Sequence, residues 1–285
     1  MKGNKFNNIL PPVEMAKAAE ETGVYKSTKH PLKTFYLSVT AGMFISIAFV
    51  FYISSTVGTA EMPYGIVKLT GGICFSLGLI LCIICGADLF TSTVLIVVAK
   101  ACGHITWRQL LWNWVNVYIG NLIGALFFVL LIWLSGEYMI ANGGWGLNVL
   151  QTADHKMHHT FIEAVTLGIL ANLLVCLAVW MSYAGRTLVD KSMIMILPVA
   201  MFVASGFEHS IANMFMIPMG IVIRYFATPE FWAAVNLSPA DFNQLTVMNF
   251  ITDNLLPVTI GNIIGGGVFV GLTYWFIYLR DIDHH

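Results

Sequence analysis

Two apolar runs in this sequence are each too long to be one ordinary helix, and each is interrupted near its middle. Residues 65–99 as a straight helix would measure roughly 50 Å, against about 30 Å of hydrocarbon in a bilayer, and GADLFTS at 86–92 breaks the run. Residues 193–226 repeat the pattern around SGFEHSIANM at 205–214, where Glu208 and His209 are the only charged or titratable side chains before Arg224. Four further runs, 35–57, 107–134, 161–183 and 247–279, read as one crossing each and bring the crossings to six, two of them broken. Composition supports hydrocarbon surroundings: 58% of the 285 residues are apolar and 10% charged, against about 25% charged in a soluble domain. The chain therefore reads as an all-α membrane protein.

The net charge of −1 says little about partners, and no nucleic acid is expected. Cys74, Cys82, Cys85, Cys102 and Cys176 lie in or beside apolar runs, an odd count that argues against a disulfide framework. Cys82 and Cys85 form C-x-x-C, which on an apolar helix reads as small packing residues. Residues 1–34 are polar and basic with no short apolar core, so no cleavable signal is expected. Within them PPVEMAKAAEETG at 11–23, with proline near its start and glycine at its end, reads as a short helix on the cytoplasmic face, a lid or an anchor. The remaining 35–285 forms one six-span domain. His284 and His285 receive no role.

Basic residues orient the spans. If each broken run crosses once, only Lys68, Lys156 and Arg224 of the 14 Lys and Arg fall opposite the rest. Both termini are then cytoplasmic, and the loops 135–160 and 227–246 face outward.

The two halves, 35–134 and 160–279, resemble each other. YIGNLIGALFF at 118–128 matches TIGNIIGGGVF at 259–269, placing Asn121 with Asn262; CGADLFTST at 85–93 matches SGFEHSIAN at 205–213, placing Gly86 with Gly206 and Asp88 with Glu208. TFYLSVTAG at 34–42 lines up with TFIEAVTLG at 160–168. Three crossings per half force the repeats to run in opposite directions, the plan in which discontinuous helices meet near the midplane and build a substrate site.

Four longer stretches carry a family likeness: KHPLKTFYLSVTAGMFISIAFVFY at 29–52, CGADLFTSTVLIVVAK at 85–100, QTADHKMHHTFIEAV at 151–165 and ASGFEHSIANMFMIPMG at 204–220. In these the chain resembles the bacterial formate channels of the formate/nitrite transporter family. The resemblance implies an aquaporin-like protomer, a homopentamer with one pore per protomer in the inner membrane, and passage of formate and related small monovalent anions. It implies no cofactor. It also places His209 at the middle of the pore, paired with Thr91, although spacing alone favours a satisfied structural histidine. Narrow slits are implied at Leu89 and Phe90 on the cytoplasmic side and at Phe75 and Phe202 on the outer side, with Leu79 and Val175 also matching slit positions.

The residues at the breaks have a physical reading of their own. Gly86 and Gly206 suit the backbone angles that end a half-helix, and Asp88 and Glu208 are of the type that accepts hydrogen bonds from the free N–H groups opening the next. Capping and network roles are expected for both acids, since ionised carboxylates facing the path would repel an anion. The positive end of each second half-helix suits an anion without a mobile cation. Asn172 and Asn262 fall mid-span, where an amide either donates to a carboxylate in the pore or glues helices together. DHKMHH at 154–159 has metal-like residue types but no second cluster completing a site, and reads better as an outward basic patch drawing in anions, with Lys156 as its candidate. G-x-x-x-G spacings at Gly120 and Gly124 and at Gly261 and Gly265 read as close helix packing.

No G-x-S-x-G, H-E-x-x-H or other catalytic arrangement occurs, so an enzyme is not expected. The absence of Asn-Pro-Ala counts against a water or glycerol pore. A strictly proton-coupled formate or nitrite transporter, which shares the inverted-repeat plan, is the alternative to a channel. Nothing identifies a cytoplasmic enzyme partner.

Overall fold

The computed structural model describes residues 9–280; Lys2, Lys5, His284 and His285 lie outside the described residues. The helices are α1 (Pro12–Thr28), α2 (Pro31–Thr56), α3 (Tyr64–Ile84), α4 (Phe90–Ala101), α5 (Trp107–Leu134), α6 (Gly144–Lys156), α7 (Phe161–Ser182), α8 (Leu188–Ala204), α9 (Ser210–Phe226), α10 (Pro229–Val235) and α11 (residues 247–278). Among the described residues five helical stretches are long and apolar enough to cross a membrane: α2, α3, α5, α7 and Pro239–Tyr278, which contains α11. The chain is a multi-pass membrane protein in which α3 with α4, and α8 with α9, form the broken second and fifth crossings.

Local sequence explains where these helices start. Thr106 and Gln109 close a capping box on α5, Thr160 and Glu163 one on α7, and Thr187 and Asp190 one on α8, each satisfying orphan first-turn amides. Pro31 opens α2 at a position where a missing N–H costs nothing. The 109° bend between α9 and α10 carries the chain off the span axis into the loop 227–246.

The halves pack by the same small-residue contacts. A Cβ on Gly124 would meet the Val39 carbonyl of α2, and one on Gly265 would meet the Ile169 carbonyl of α7; Gly120 and Gly261 approach the same two helices in the same way. Backbones this close tolerate no side chain, the role expected of both G-x-x-x-G spacings. The inverted repeat is thus present, but one part of its alignment is corrected. Asp88 N–H donates to the Leu37 carbonyl, and its counterpart Glu208 N–H donates to the Leu167 carbonyl. The sequence alignment put Leu37 opposite Glu163, four residues (167 − 163) or about one helical turn too early. A slip of one turn keeps the same face inward, so the apolar pattern could not detect it.

Helix α1 lies against the α4 end of the broken second crossing. Ala16, Ala19 and Gly23 are buried, and the Gly23 position sits against Ala99 and Ile96 of α4. Glu20 pairs with His104 in the α4–α5 loop at 2.6 Å.

Candidate pore and its helix breaks

Each break is built by the same four devices. Gly86 and Gly206 take positive φ, 76° and 72°. The amide three residues beyond each preceding helix then folds back, Ala87 N–H to the Cys82 carbonyl at 2.8 Å and Phe207 N–H to the Phe202 carbonyl at 3.0 Å, which satisfies helix-end acceptors. Next, the acid's own amide is tied to the first helix of its repeat, as described above. Finally, an asparagine from the third helix locks the break. Asn121 Oδ1 accepts from Phe90 N–H at 2.9 Å while its Nδ2 donates to the Ser38 and Asp88 carbonyls at 2.7 and 3.0 Å. Asn262 Oδ1 accepts from Ser210 N–H at 2.9 Å while its Nδ2 donates to the Gly168 and Glu208 carbonyls at 2.8 and 3.0 Å.

Of the capping and network roles expected for the two acids, their side chains take the network one and the capping one is corrected. Asp88 takes 2.6 Å and 3.5 Å contacts from Lys29 and Lys26. Glu208 Oε1 accepts from Lys156 Nζ at 2.8 Å, and its Oε2 accepts from Asn213 at 2.6 Å and Asn254 at 3.2 Å. The carboxylates are 3% and 1% exposed, so each needs a compensating cation more than it needs an amide. Lys156 lines the funnel described below, and it is also the ion-pair partner of Glu208, its side chain only 12% exposed. Of the two roles open to Asn172 and Asn262, pore donor or glue between helices, their hydrogen bonds are those of glue: Asn172 Nδ2 donates to the Asn262 carbonyl at 2.6 Å, and both ends of the Asn262 side chain are engaged.

His209 opens α9. Its Nδ1 accepts the Ala212 N–H at 3.0 Å, and its Nε2 lies 2.8 Å from Thr91 Oγ1 in the first turn of α4. Because Nδ1 is an acceptor here, the neutral ring carries its proton on Nε2 and donates it to the threonine. The two second half-helices therefore meet N-terminus to N-terminus through Thr91 and His209, both buried. Their aligned peptide dipoles place partial positive charge at the junction.

A cavity of about 780 Å³ leads to this point from the face bearing α6. Lys68, His155, Lys156 and His159 line its walls, and Phe75, Phe202 and His209 lie at its inner end. The Phe75 and Phe202 rings meet edge-on at 5.8 Å, and Phe202 stacks on His209 at 5.8 Å. Desolvation, joined by the neighbouring His159, Lys156 and Lys68, holds His155 below the ordinary histidine range, with Glu208 opposing. Leu79, Leu89, Phe90 and Val175 are buried outside this cavity, and the Phe90 ring packs edge-on against Tyr118 at 4.9 Å and Trp114 at 6.1 Å. Among the described residues no group of three or more His, Cys, Asp or Glu is placed to hold a metal ion.

Sequence reasoning did not assign Lys29, Lys26, Asn121, Asn213 or Asn254 to the site. Asn121 carried a signal in its repeat partner Asn262. Lys29 carried one too, since it precedes the first helix of its half as Lys156 precedes the first helix of the other. Asn213 and Asn254 carried none, because their role depends on α9 and α11 being neighbours.

Inverted three-helix repeats, two broken crossings and a funnel with basic side chains ending where half-helices meet define a membrane channel or transporter. Residues 13–276 match the formate/nitrite transporter family, and the chain belongs to that family. It is 78% identical over 285 residues to formate channel FocA of Escherichia coli (strain K12), covering 100% of both chains. It is 51% identical over 272 residues to formate channel FocA of Haemophilus influenzae, covering 95% and 96%. A solved structure of a pentameric formate channel with formate bound superposes with a TM-score of 0.84 at 54% identity, covering 88% of this chain and 98% of that one. An FNT family ion channel superposes with a TM-score of 0.77 at 25% identity.

Proposed function

We propose that the chain is a channel for formate and related small monovalent anions, working as a homopentamer with a pore through each protomer, and that His209 exchanges a proton with the substrate. The observation that carries this reading is the junction of His209 and Thr91, where two helix N-termini converge at the end of a funnel lined by Lys68, Lys156 and histidines. The names of the similar channels support formate as the substrate, and the pentameric relative supports the assembly.

A carboxylate reaching the junction meets partial positive charge and the Nε2–H that Thr91 otherwise accepts. A small carboxylic acid with a pKa near that of Asp, about 3.9, is almost wholly anionic at neutral pH. Beyond the junction the path is apolar and excludes a charged, desolvated anion. A proton given by an imidazolium to the carboxylate leaves neutral imidazole and neutral acid, a pair that survives desolvation better than an ion pair does. Charging His209 first requires Nδ1 to let go of Ala212 N–H, so proton uptake is linked to the first turn of α9. The excess of Lys and Arg on the α1 face supports placing both termini in the cytoplasm of a bacterial cell, with α6 outward.

His209→Asn is the test. Asparagine keeps an oxygen able to cap Ala212 N–H and has no exchangeable acidic proton. In proteoliposomes the variant should still assemble and conduct anions but lose the pH dependence of formate flux. An assembled variant whose flux keeps the wild-type pH profile in both directions would reduce His209 to a structural cap. A fixed proton-to-formate ratio in wild-type protein would instead favour the coupled transporter.

A further inference from the structure

We propose that Tyr118 helps decide which small acids or anions the pore passes: hooked by Thr259 of the other half, its ring holds Phe90 in place and so sets the width of the path beside the first turn of α4. The proposal rests on the reading above that small carboxylates pass the Thr91–His209 junction, and on Phe90 bordering their path.

Three residues of α5 grip Phe90. Asn121 Oδ1 accepts its backbone N–H at 2.9 Å. The Tyr118 ring packs against the Phe90 ring with centroids 4.9 Å apart and planes at 79°, and the Trp114 ring does so at 6.1 Å and 76°, the edge-to-face arrangement that aromatic pairs favour. Positions 114, 118 and 121 share one face of a helix, so a single rigid element holds both the backbone and the ring. Phe90 is 3% exposed and directly precedes Thr91, whose hydroxyl accepts the His209 proton. A shift of its ring therefore moves the wall next to the junction.

Tyr118 is itself fixed at its far end. Thr259 Oγ1 donates to the Leu255 carbonyl at 2.6 Å, which leaves its lone pairs to accept the Tyr118 hydroxyl proton at 2.8 Å. Trp114 has no such anchor, since its Nε1–H is buried without a hydrogen-bond partner. Of the two rings on Phe90, Tyr118 is thus the one whose position is set by a directional bond.

Tyr118 and Thr259 occupy the same place in YIGNLIGALFF and TIGNIIGGGVF. A contact between equivalent residues of two inverted repeats maps onto itself and lies at the axis relating the halves, where only one of the two can send a long side chain across. The first half supplies that side chain, and it lies on Phe90. The residue equivalent to Phe90 in the second half is Ser210, which has no ring to hold. Thr259 on α11 thereby acts on the path through Tyr118.

The permeabilities of formate and acetate, measured with the assembled oligomer in proteoliposomes, test this. An apolar fit separates ligands that differ by one carbon by about tenfold or more. Thr259→Val keeps the side-chain shape but strands the Tyr118 hydroxyl, and should raise the acetate-to-formate permeability ratio by about threefold or more. Thr259→Ser keeps the hydroxyl and should hold the wild-type ratio. Tyr118→Leu should raise the ratio as far as Phe90→Ala does, and combining the two should add nothing, the mark of residues acting at one place. An unchanged ratio in assembled Thr259→Val, or equal rises in Thr259→Val and Thr259→Ser, would overturn the proposal even if Tyr118→Leu fails to assemble. So would a wild-type ratio in Tyr118→Leu where Phe90→Ala raises it, which would leave Phe90 on the path and give the Tyr118–Thr259 bond a purely structural role, read as a lower unfolding temperature without a change in selectivity. An unchanged ratio in Phe90→Ala would take Phe90 off the path and the proposal with it. Wild-type protein that passes no formate would refute the channel reading on which the proposal stands.

Discussion

At the scale of single residues, the break acids illustrate how burial decides a role. Glu208 is almost wholly buried and its charge is answered by Lys156, whose own side chain is 12% exposed. Lys156→Met should therefore leave an uncompensated buried carboxylate and destabilise the protomer by about 3–5 kcal/mol, read as a lower apparent unfolding temperature in detergent. Adding Glu208→Gln should recover much of that loss, and a double variant as unstable as the single one would show that Lys156 contributes packing rather than charge. His155 makes a separate pH statement. Its proton affinity is held below the ordinary value near 6.5, so the unfolded chain takes up the proton before the folded funnel does. The stability His155 supports is then fully present above about pH 6.5 and declines as the pH falls through the range below it. His155→Gln should flatten that part of the stability profile between about pH 7 and about pH 5, and an unchanged profile would assign the acid sensitivity elsewhere.

Among the elements, the glycines divide into two mechanical classes. Gly86 and Gly206 need positive φ, but a Cβ at either would meet nothing within 4 Å; alanine there costs about 1–2 kcal/mol of backbone strain. Gly124 and Gly265 need no special φ, but a Cβ at either would press on the backbone of α2 or α7. Backbone cannot rotate aside, so Gly124→Ala and Gly265→Ala should cost at least the upper part of the about 1–3 kcal/mol typical of overpacking. Thermal unfolding of the four variants ranks them, and a larger loss at Gly206 than at Gly265 would make break geometry, rather than close helix approach, the tighter constraint. The symmetric pair Asn121 and Asn262 belongs to this scale too, because each joins three elements of its own half at one side chain.

For the whole molecule, alternation of the six crossings puts α1, Lys29 and Arg108 on one face and α6, α10 and the funnel on the other. In a background with Cys85 and Cys102 replaced by serine, His104→Cys and Arg186→Cys should react with an impermeant thiol reagent only from the cytoplasm, and Ala234→Cys only from outside. Labelling of His104→Cys from outside would break the single-crossing reading of α3 with α4. Many large side chains along the spans remain exposed in the protomer, among them Leu130, Leu134 and Phe269. Apolar surface of this extent has to meet lipid or neighbouring protomers.

Membrane location, the six crossings, the two breaks and their equivalence were all legible in the sequence, because hydrocarbon length and the need to satisfy backbone polar groups leave few ways to arrange such runs. Gly86 and Gly206 were legible for a local reason, since the residue itself permits the required φ. The likeness of four stretches to known channels pointed to His209 and Thr91 as a pair, which hydropathy and spacing did not. Partnership was what only the tertiary structure decided. Asp88 finds Lys29, Glu208 finds Lys156, Asn213 and Asn254, Asn262 spends its amide on the second helix break, and Asn172 spends its own on the Asn262 carbonyl. The four-residue register of α7 against α2 was decided there as well. A pattern of apolar faces repeats with every turn and is blind to a shift of one turn, whereas a hydrogen bond from one amide to one carbonyl fixes that shift to the residue.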